Sequence, residues 1–212
     1  MKIGILGTGS VGQTVGSTLV ALGHDVMMGA RAADNDKVLG FASRTGGKAG
    51  TFADAAAHGE MVFNATRGDT SLALLSRLGD ELRGKVLLDV ANPLDFSAGY
   101  PPHLTVSNTD SLAEQIQRAL PETFVVKSLN TVTAQVMVEP SLVPGQHTVF
   151  VSGNDQRAKG RVMDLLRSLG WSSIIDLGDI SSARAAEQLL PLWVRLSGKL
   201  GTGLFNIAVM KA

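Results

Sequence analysis

The sequence predicts an α/β protein: a doubly wound, mostly parallel sheet with helices on both faces and a short C-terminal extension. Three observations predict it. An apolar run (Ile3, Ile5, Leu6) stops at Gly7, and glycines recur at Gly9 and Gly12. A helical pattern then runs to Gly23, and a second strand, Asp25 to Met28, ends at Gly29-Ala30-Arg31. Beyond Arg31, strand-like and helix-like pieces alternate at the spacing of crossover units.

The opening stretch has the strand, turn, helix and strand order of a dinucleotide-binding βαβ unit, with glycines at the G-x-G-x-x-G spacing of a Rossmann-type domain. Gly7 permits the tight turn, Gly9 lets a pyrophosphate approach the backbone, and Gly12 lets the helix lie close to the strand. Free N–H groups and the positive dipole end over Thr8, Gly9, Ser10 and Val11 would hold that pyrophosphate. The end of the second strand selects the dinucleotide. A site for NAD usually has an acid there to bind the ribose 2′-OH, and this chain has Gly29, Ala30 and Arg31. A guanidinium can grip a 2′-phosphate in a fork, so NADP is the expected cofactor; the alternative is a solvated loop arginine. Lys37 could add a second positive charge beyond the loop of Ala32 to Asp36.

Further elements follow in order. Val38 to Ser43 and Ala53 to His58 read as short helices, and Met61-Val62-Phe63-Asn64 as a strand covered on both faces. Thr70 to Leu82 reads as one helix with Leu72, Leu74, Leu75 and Leu78 inward, followed by a strand from Lys85 to Val90. Asp110 to Leu120 is a helix capped by Asp110 or Ser111, with Glu114 completing a capping box, and Pro121 ends it. Thr123 to Val126 and His147 to Ser152 are strands, and Asp155 to Leu169 is a helix closed by Gly170. Trp171 to Ile175 is a last strand, and Ser181 to Val194 a helix interrupted by Pro191. Tyr100-Pro101-Pro102 reads as a surface loop. The whole chain, 1–212, is expected to form one nucleotide-binding domain, with 180–212 a helical extension.

Composition narrows the partners. A formal net charge of zero gives no field to draw nucleic acid or an anionic membrane. The absence of cysteine removes disulfides, thiolate metal sites and cysteine nucleophiles, and fits a reducing cytoplasm. The chain opens on a core strand without a charged leader, so no signal peptide is expected. No apolar run approaches the roughly 18 residues of a membrane span.

Ligands of open α/β sheets sit outside the carboxyl ends of the strands. Those ends carry Gly7 to Gly12, Gly29 to Arg31, Asn64-Ala65-Thr66-Arg67, Asn92-Pro93, and Lys127 to Thr131. Asn92 and Asn130 could bond a cofactor ribose or carboxamide, or cap a turn through their own backbone; the site role is preferred. Thr66 and Arg67 border the path toward the nicotinamide, or Arg67 faces water. No histidine or paired carboxylate occupies a strand end, and no metal-ligand spacing is present. Lys127 is the one candidate acid; its alternative is a stem packed under the sheet edge with its ammonium on a backbone carbonyl. With no catalytic side chain assigned, the site suits hydride transfer between two bound cofactors, where positioning does most of the work.

Four segments resemble a known family: IGILGTGSVGQTVGSTLVALGHDVMMGAR, LLDVANPLDF, SLAEQIQRALPETFVVKSLNTV and GWSSIIDLGDISSARAAEQLLPLWVRL. The chain is similar to the NADPH-dependent reductases of coenzyme F420 (F420:NADP oxidoreductases), whose dinucleotide-binding module recurs in the STEAP ferric reductases. The resemblance implies an NADP-binding Rossmann domain with a short extension, usually a homodimer. It implies a pyrophosphate held by Thr8, Gly9, Ser10 and Val11 and a 2′-phosphate held by Arg31, with Ala30 standing where the family has serine. Ala65-Thr66-Arg67 departs from the family's proline-containing segment beside the nicotinamide. Asn92-Pro93 and Asn130-Thr131 fit positions lining the nicotinamide and deazaflavin face. Leu190, Trp193 and Leu200 could wall a second pocket or belong to the core. The implied function is hydride transfer between NADPH and a small-molecule redox co-substrate, either coenzyme F420 or a flavin. The alternative is an NADPH-binding or sensing protein without turnover.

Overall fold

The computed structural model describes residues 1–211. The opening apolar run is β1 (Lys2–Leu6), with Ile3, Ile5 and Leu6 wholly buried. The glycine turn leads into α1 (Ser10–Ala21), and β2 (Asp25–Ala30) pairs in parallel with β1. There follow α2 (Asp36–Thr45), capped by the Asn35 side chain on the Lys37 N–H, β3 (Lys48–Thr51), and α3 (Phe52–His58), opened by a Thr51–Asp54 capping box. Next come β4 (Met61–Asn64), α4 (Gly68–Leu75), α5 (Gly79–Leu82) and β5 (Val86–Asp89). The two-residue strands β6 (Leu94–Asp95) and β7 (His103–Leu104) form a small hairpin. The chain continues through α6 (Leu112–Ala119), β8 (Phe124–Ser128), α7 (Ala134–Val138), β9 (Thr148–Gly153), α8 (Gln156–Ser168) and β10 (Ser173–Gly178). The extension contains α9 (Ala183–Gln188) and α10 (Leu190–Leu200).

The sheet order is β10-β9-β8-β5-β4-β1-β2-β3, parallel throughout except for the antiparallel β8–β9 pair. Strand order reverses at β1, which lies between β4 and β2. The carboxyl end of β1 is therefore the switch point, and the glycine turn sits on it. Alternating strand residues feed two cores. Ile3, Ile5, Phe63 and Leu88 pack under α1 and α8 residues such as Val15, Leu19 and Leu166. Leu6, Val62 and Leu87 pack with Leu75 and Ile116 on the other face.

Several elements depart from the sequence reading. β3 has no apolar alternation because it is a sheet edge in which only Gly50 is buried. The helix expected over Thr70 to Leu82 is two, α4 and α5. The Ser76–Leu78 turn between them lets Leu75, Leu78 and Leu82 all reach the core. α7 follows β8 after a buried connection and was invisible to periodicity because it is five residues long. β10 starts at Ser173, since Trp171 is anchored in the core with its indole N–H on the Met137 carbonyl at 3.0 Å. Pro191 starts α10 at its first turn and does not kink a single helix, because a missing N–H costs nothing there. Tyr100 lies in the β6–β7 loop, exposed as expected, and its hydroxyl donates to the Val194 carbonyl of α10 at 2.9 Å. After Leu200 the tail is irregular and bonds the start of β9 through Ile207 O and the Thr148 N–H at 2.9 Å. The terminal Ala212 of the expected extension lies outside the described residues.

Candidate functional site

The glycine turn has the shape a pyrophosphate needs. Gly7 is left-handed at φ +123°, and a Cβ there would meet the Ala65 carbonyl oxygen at 2.4 Å. A Cβ on Gly12 would meet the Gly7 carbonyl oxygen at 2.1 Å, so α1 is pressed onto β1. Around Gly9 an added Cβ would find nothing within 4 Å, and Gly9 and Ser10 are exposed. No side chain caps α1 and no acid lies in its first turn. The first N–H groups of the helix, over Ser10 and Val11, are thus open to an anion, with Thr8 half-buried beside them.

Arg31 follows β2, next to the switch point, exposed, and among the described residues it has no hydrogen-bond or ion-pair partner. Lys37 stands exposed in the first turn of α2. Its carbonyl accepts from Gln13 of α1 at 3.1 Å, and the Gln13 side-chain oxygen accepts from Arg44 at 2.8 Å. That glutamine fixes α2 against the helix that carries the glycine turn.

On the other side of the turn, a two-lobed cleft follows the ends of β4, β5 and β8. One lobe, about 220 Å³, is lined by Ala65, Thr66, Arg67, Asp69, Ala91 and Phe96. The other, about 410 Å³, is lined by Ser10, Asn130, Thr133, Leu190, Trp193 and Val194, among others. Val11, Val90, Asn92 and Leu94 belong to both. Trp193 is stacked on Phe205 of the tail, with centroids 5.4 Å apart and planes 21° from parallel. Its buried indole nitrogen has no hydrogen-bond partner among the described residues. Leu200 does not line this lobe and is exposed, whereas Leu190 and Trp193 do line it.

The strand-end asparagines divide into two groups. Asn92 donates to the Asn130 carbonyl at 2.8 Å, and Asn130 donates to the Asn92 side-chain oxygen at 3.0 Å and to the Ala186 carbonyl at 3.0 Å. Asn64 is wholly buried, donating to Asp89 at 2.7 Å and accepting from the Thr66 hydroxyl at 2.6 Å. Asn64 is framework, and it sets the conformation that brings Ala65 and Thr66 to the cleft. Pro93 and Thr131 are buried behind their asparagines. Arg67 faces water in an ion pair with Asp69 at the rim of the smaller lobe, which it helps to line.

Lys127 is not an acid facing the cleft. Its side chain is wholly buried; its ammonium donates to Asp89 at 2.8 Å and the Ala91 carbonyl at 2.5 Å, and is ion-paired with Glu187 at 2.9 Å. Burial pushes its pKa down most strongly of any single influence, but Asp89 and Glu187 together outweigh it and raise the pKa above the usual lysine value. A lysine so held keeps its proton. None of the four histidines lines either lobe; His147 is spent on the Pro140 carbonyl at 2.9 Å. Among the described residues no His, Asp and Glu cluster could hold a metal, and no helix is long and apolar enough to cross a membrane.

Sequence reasoning missed Asp89, Ser71, Phe96, Thr133 and Glu187. Only Asp89, an acid at the end of an apolar strand, left a signal; Ser71, Phe96 and Thr133 lie a few residues past the strand-end asparagines with no pattern of their own, and Glu187 comes from the distant extension.

Residues 2–93 match the family model described as NADP oxidoreductase, coenzyme F420-dependent. The F420-dependent NADP reductase of Methanocaldococcus jannaschii is 32% identical over 155 residues, 71% of this chain and 69% of that protein. Metalloreductase STEAP3 of Rattus norvegicus is 30% identical over 214 residues, and this chain spans 40% of its length. A crystal structure from Arthrobacter sp. FB24, of a protein provisionally assigned as an F420-dependent NADP reductase, matches with a TM-score of 0.94 at 50% identity over the full length of both chains. The chain belongs to the coenzyme F420-dependent NADP oxidoreductase family and is an NADP-dependent oxidoreductase.

Proposed function

We propose that this protein transfers a hydride between NADPH and a flat tricyclic acceptor, coenzyme F420 or a flavin. The observation that carries the reading is the larger lobe. Its apolar wall of Leu190, Trp193 and Val194 faces the Asn92–Asn130 pair across about 410 Å³, within the range of small-molecule sites. The bound nicotinamide supplies the hydride. The chain's own residues bind and orient. Arg31, with Lys37 as a second charge, holds the 2′-phosphate, and the turn of Gly7, Thr8, Gly9, Ser10, Val11 and Gly12 holds the pyrophosphate. Ala65, Thr66, Asn92, Pro93, Asn130 and Thr131 shape the nicotinamide end. The open surface at Gly9 and the unpaired guanidinium of Arg31 fit such a cofactor. Among the described residues no histidine or lysine lines the cleft, which suits a reaction that needs two rings held in contact more than acid catalysis. In this reading residues 1–212 act as one domain, as a homodimer in the cytoplasm.

The test mixes pure protein with NADPH and either coenzyme F420 or FMN and follows the absorbance of each partner. Stoichiometric loss of NADPH with reduction of the acceptor is expected. Tight NADPH binding with no turnover on any deazaflavin or flavin removes the proposal and leaves a binding protein.

A further inference from the structure

We infer that Glu187, on the C-terminal extension, is a positioning residue for the nicotinamide end of the site, acting through Lys127 and the Asn92–Asn130 amide pair. This rests on the reading of the cleft given above.

Glu187 is almost wholly buried. One oxygen is ion-paired with Lys127 at 2.9 Å, and the two together accept the backbone N–H groups of Leu112 and Ala113, at 2.8 and 3.1 Å. Those amides open α6, so the helix N-terminus offsets part of the negative charge that two carboxylates leave around one ammonium. Lys127 donates to Asp89 and the Ala91 carbonyl and is ion-paired with Glu187. Ala91 precedes Asn92, whose amide is bonded to Asn130. Asn130 bonds the carbonyl of Ala186, the residue before Glu187. The contacts close a ring running Glu187, Lys127, Ala91-Asn92, Asn130, Ala186-Glu187. Two of its members, Asn92 and Asn130, line the larger lobe, while Lys127 and Glu187 touch neither lobe. The buried pair thus fixes how the amides face a ligand without meeting it.

The experiment compares affinities of the full chain for NADPH and for adenosine 2′,5′-bisphosphate, which lacks the nicotinamide half, by calorimetry. Glu187→Gln is expected to weaken NADPH about 5–10-fold, the worth of one good hydrogen bond, and to leave the bisphosphate within twofold. Asn92→Ala is expected to do the same, and the double variant to be no worse than the poorer single one, because both break one ring. Glu187→Asp keeps the charge but shortens the reach, and gives the same selective loss if the glutamine variant does not fold. Equal loss of both ligands, or single losses that multiply in the double variant, overturns the inference. If Asn92→Ala costs NADPH binding and neither Glu187 variant does, this inference alone fails. If Asn92→Ala changes nothing, the reading of the cleft fails with it.

Discussion

A Cβ on Gly12 would lie 2.1 Å from the carbonyl oxygen of Gly7, so helix and strand approach closer there than any side chain permits. Three residues away, Gly9 is free of neighbours within 4 Å and has φ −75°, which alanine adopts without strain. The two glycines therefore separate folding from binding. Gly12→Ala is expected to lose about 1–3 kcal/mol or more in urea denaturation, as overpacking against backbone does. Gly9→Ala is expected to melt with the wild type and to weaken NADPH at least about tenfold by filling the space of the pyrophosphate.

Arg31 lies exposed beyond β2, its guanidinium unpaired among the described residues. Its replacement by alanine removes a charge-assisted contact of about 1.5–3 kcal/mol, so NADPH affinity should fall roughly 10–100-fold while NADH affinity stays nearly constant. Titrating both coenzymes checks it; equal losses would mean that Arg31 does not select the 2′-phosphate.

Lys127 sits between Asp89 and Glu187, paired with both and bonded to the Ala91 carbonyl. Lys127→Met leaves two buried carboxylates without their cation and is expected to destabilise the fold by about 3–5 kcal/mol. Urea unfolding of the purified variant measures it, and a change below about 1 kcal/mol would show that water reaches the site.

Two carboxyls at the start of α6, Asp110 just before its cap and Glu114 in its first turn, give the protein an acid limit. The Arg118 guanidinium bonded to Asp110 lowers that carboxyl from the usual 3.8 to about 2. Arg184 of α9 lowers Glu114 below its usual 4.5, with Ser111 adding to the effect. Both groups bind fewer protons in the folded than in the unfolded chain. Their stabilisation is therefore fully present above the unfolded values and is lost as pH falls through the folded ones. The urea midpoint should hold from pH 7 to about 5 and drop between about 4.5 and 2. Arg184→Met should lower the midpoint at pH 7, and the gap to wild type should narrow by pH 3. A constant gap would show that the pair adds nothing.

Trp193 forms the apolar wall of the larger lobe and rests on Phe205. Trp193→Ala is expected to raise KM for the acceptor about tenfold, by loss of an aromatic face, and to leave the NADPH dissociation constant within about twofold. Steady-state kinetics with each substrate varied separates the two. Trp193→Phe, which keeps a ring, should recover most of the loss.

The sequence by itself determined the frame and one end of the site. Glycines at positions 7, 9 and 12, the short apolar strands and Arg31 at the end of β2 are local signals, each readable because turn geometry and strand burial act over a few neighbouring residues. The tertiary structure decided the other end. Asp89, Lys127 and Glu187 come from three elements, the first two 38 positions apart in the chain and the third reached only through the extension. Whether Lys127 was an acid or a buried strut depended on charges that only folding brings within 3 Å. The same holds for Asn92 and Asn130, whose amides bond each other across the ends of β5 and β8. Edge strand β3 and five-residue α7 also waited on packing, since neither carries a period of its own and each forms because a neighbouring element leaves a surface or a backbone edge to be covered.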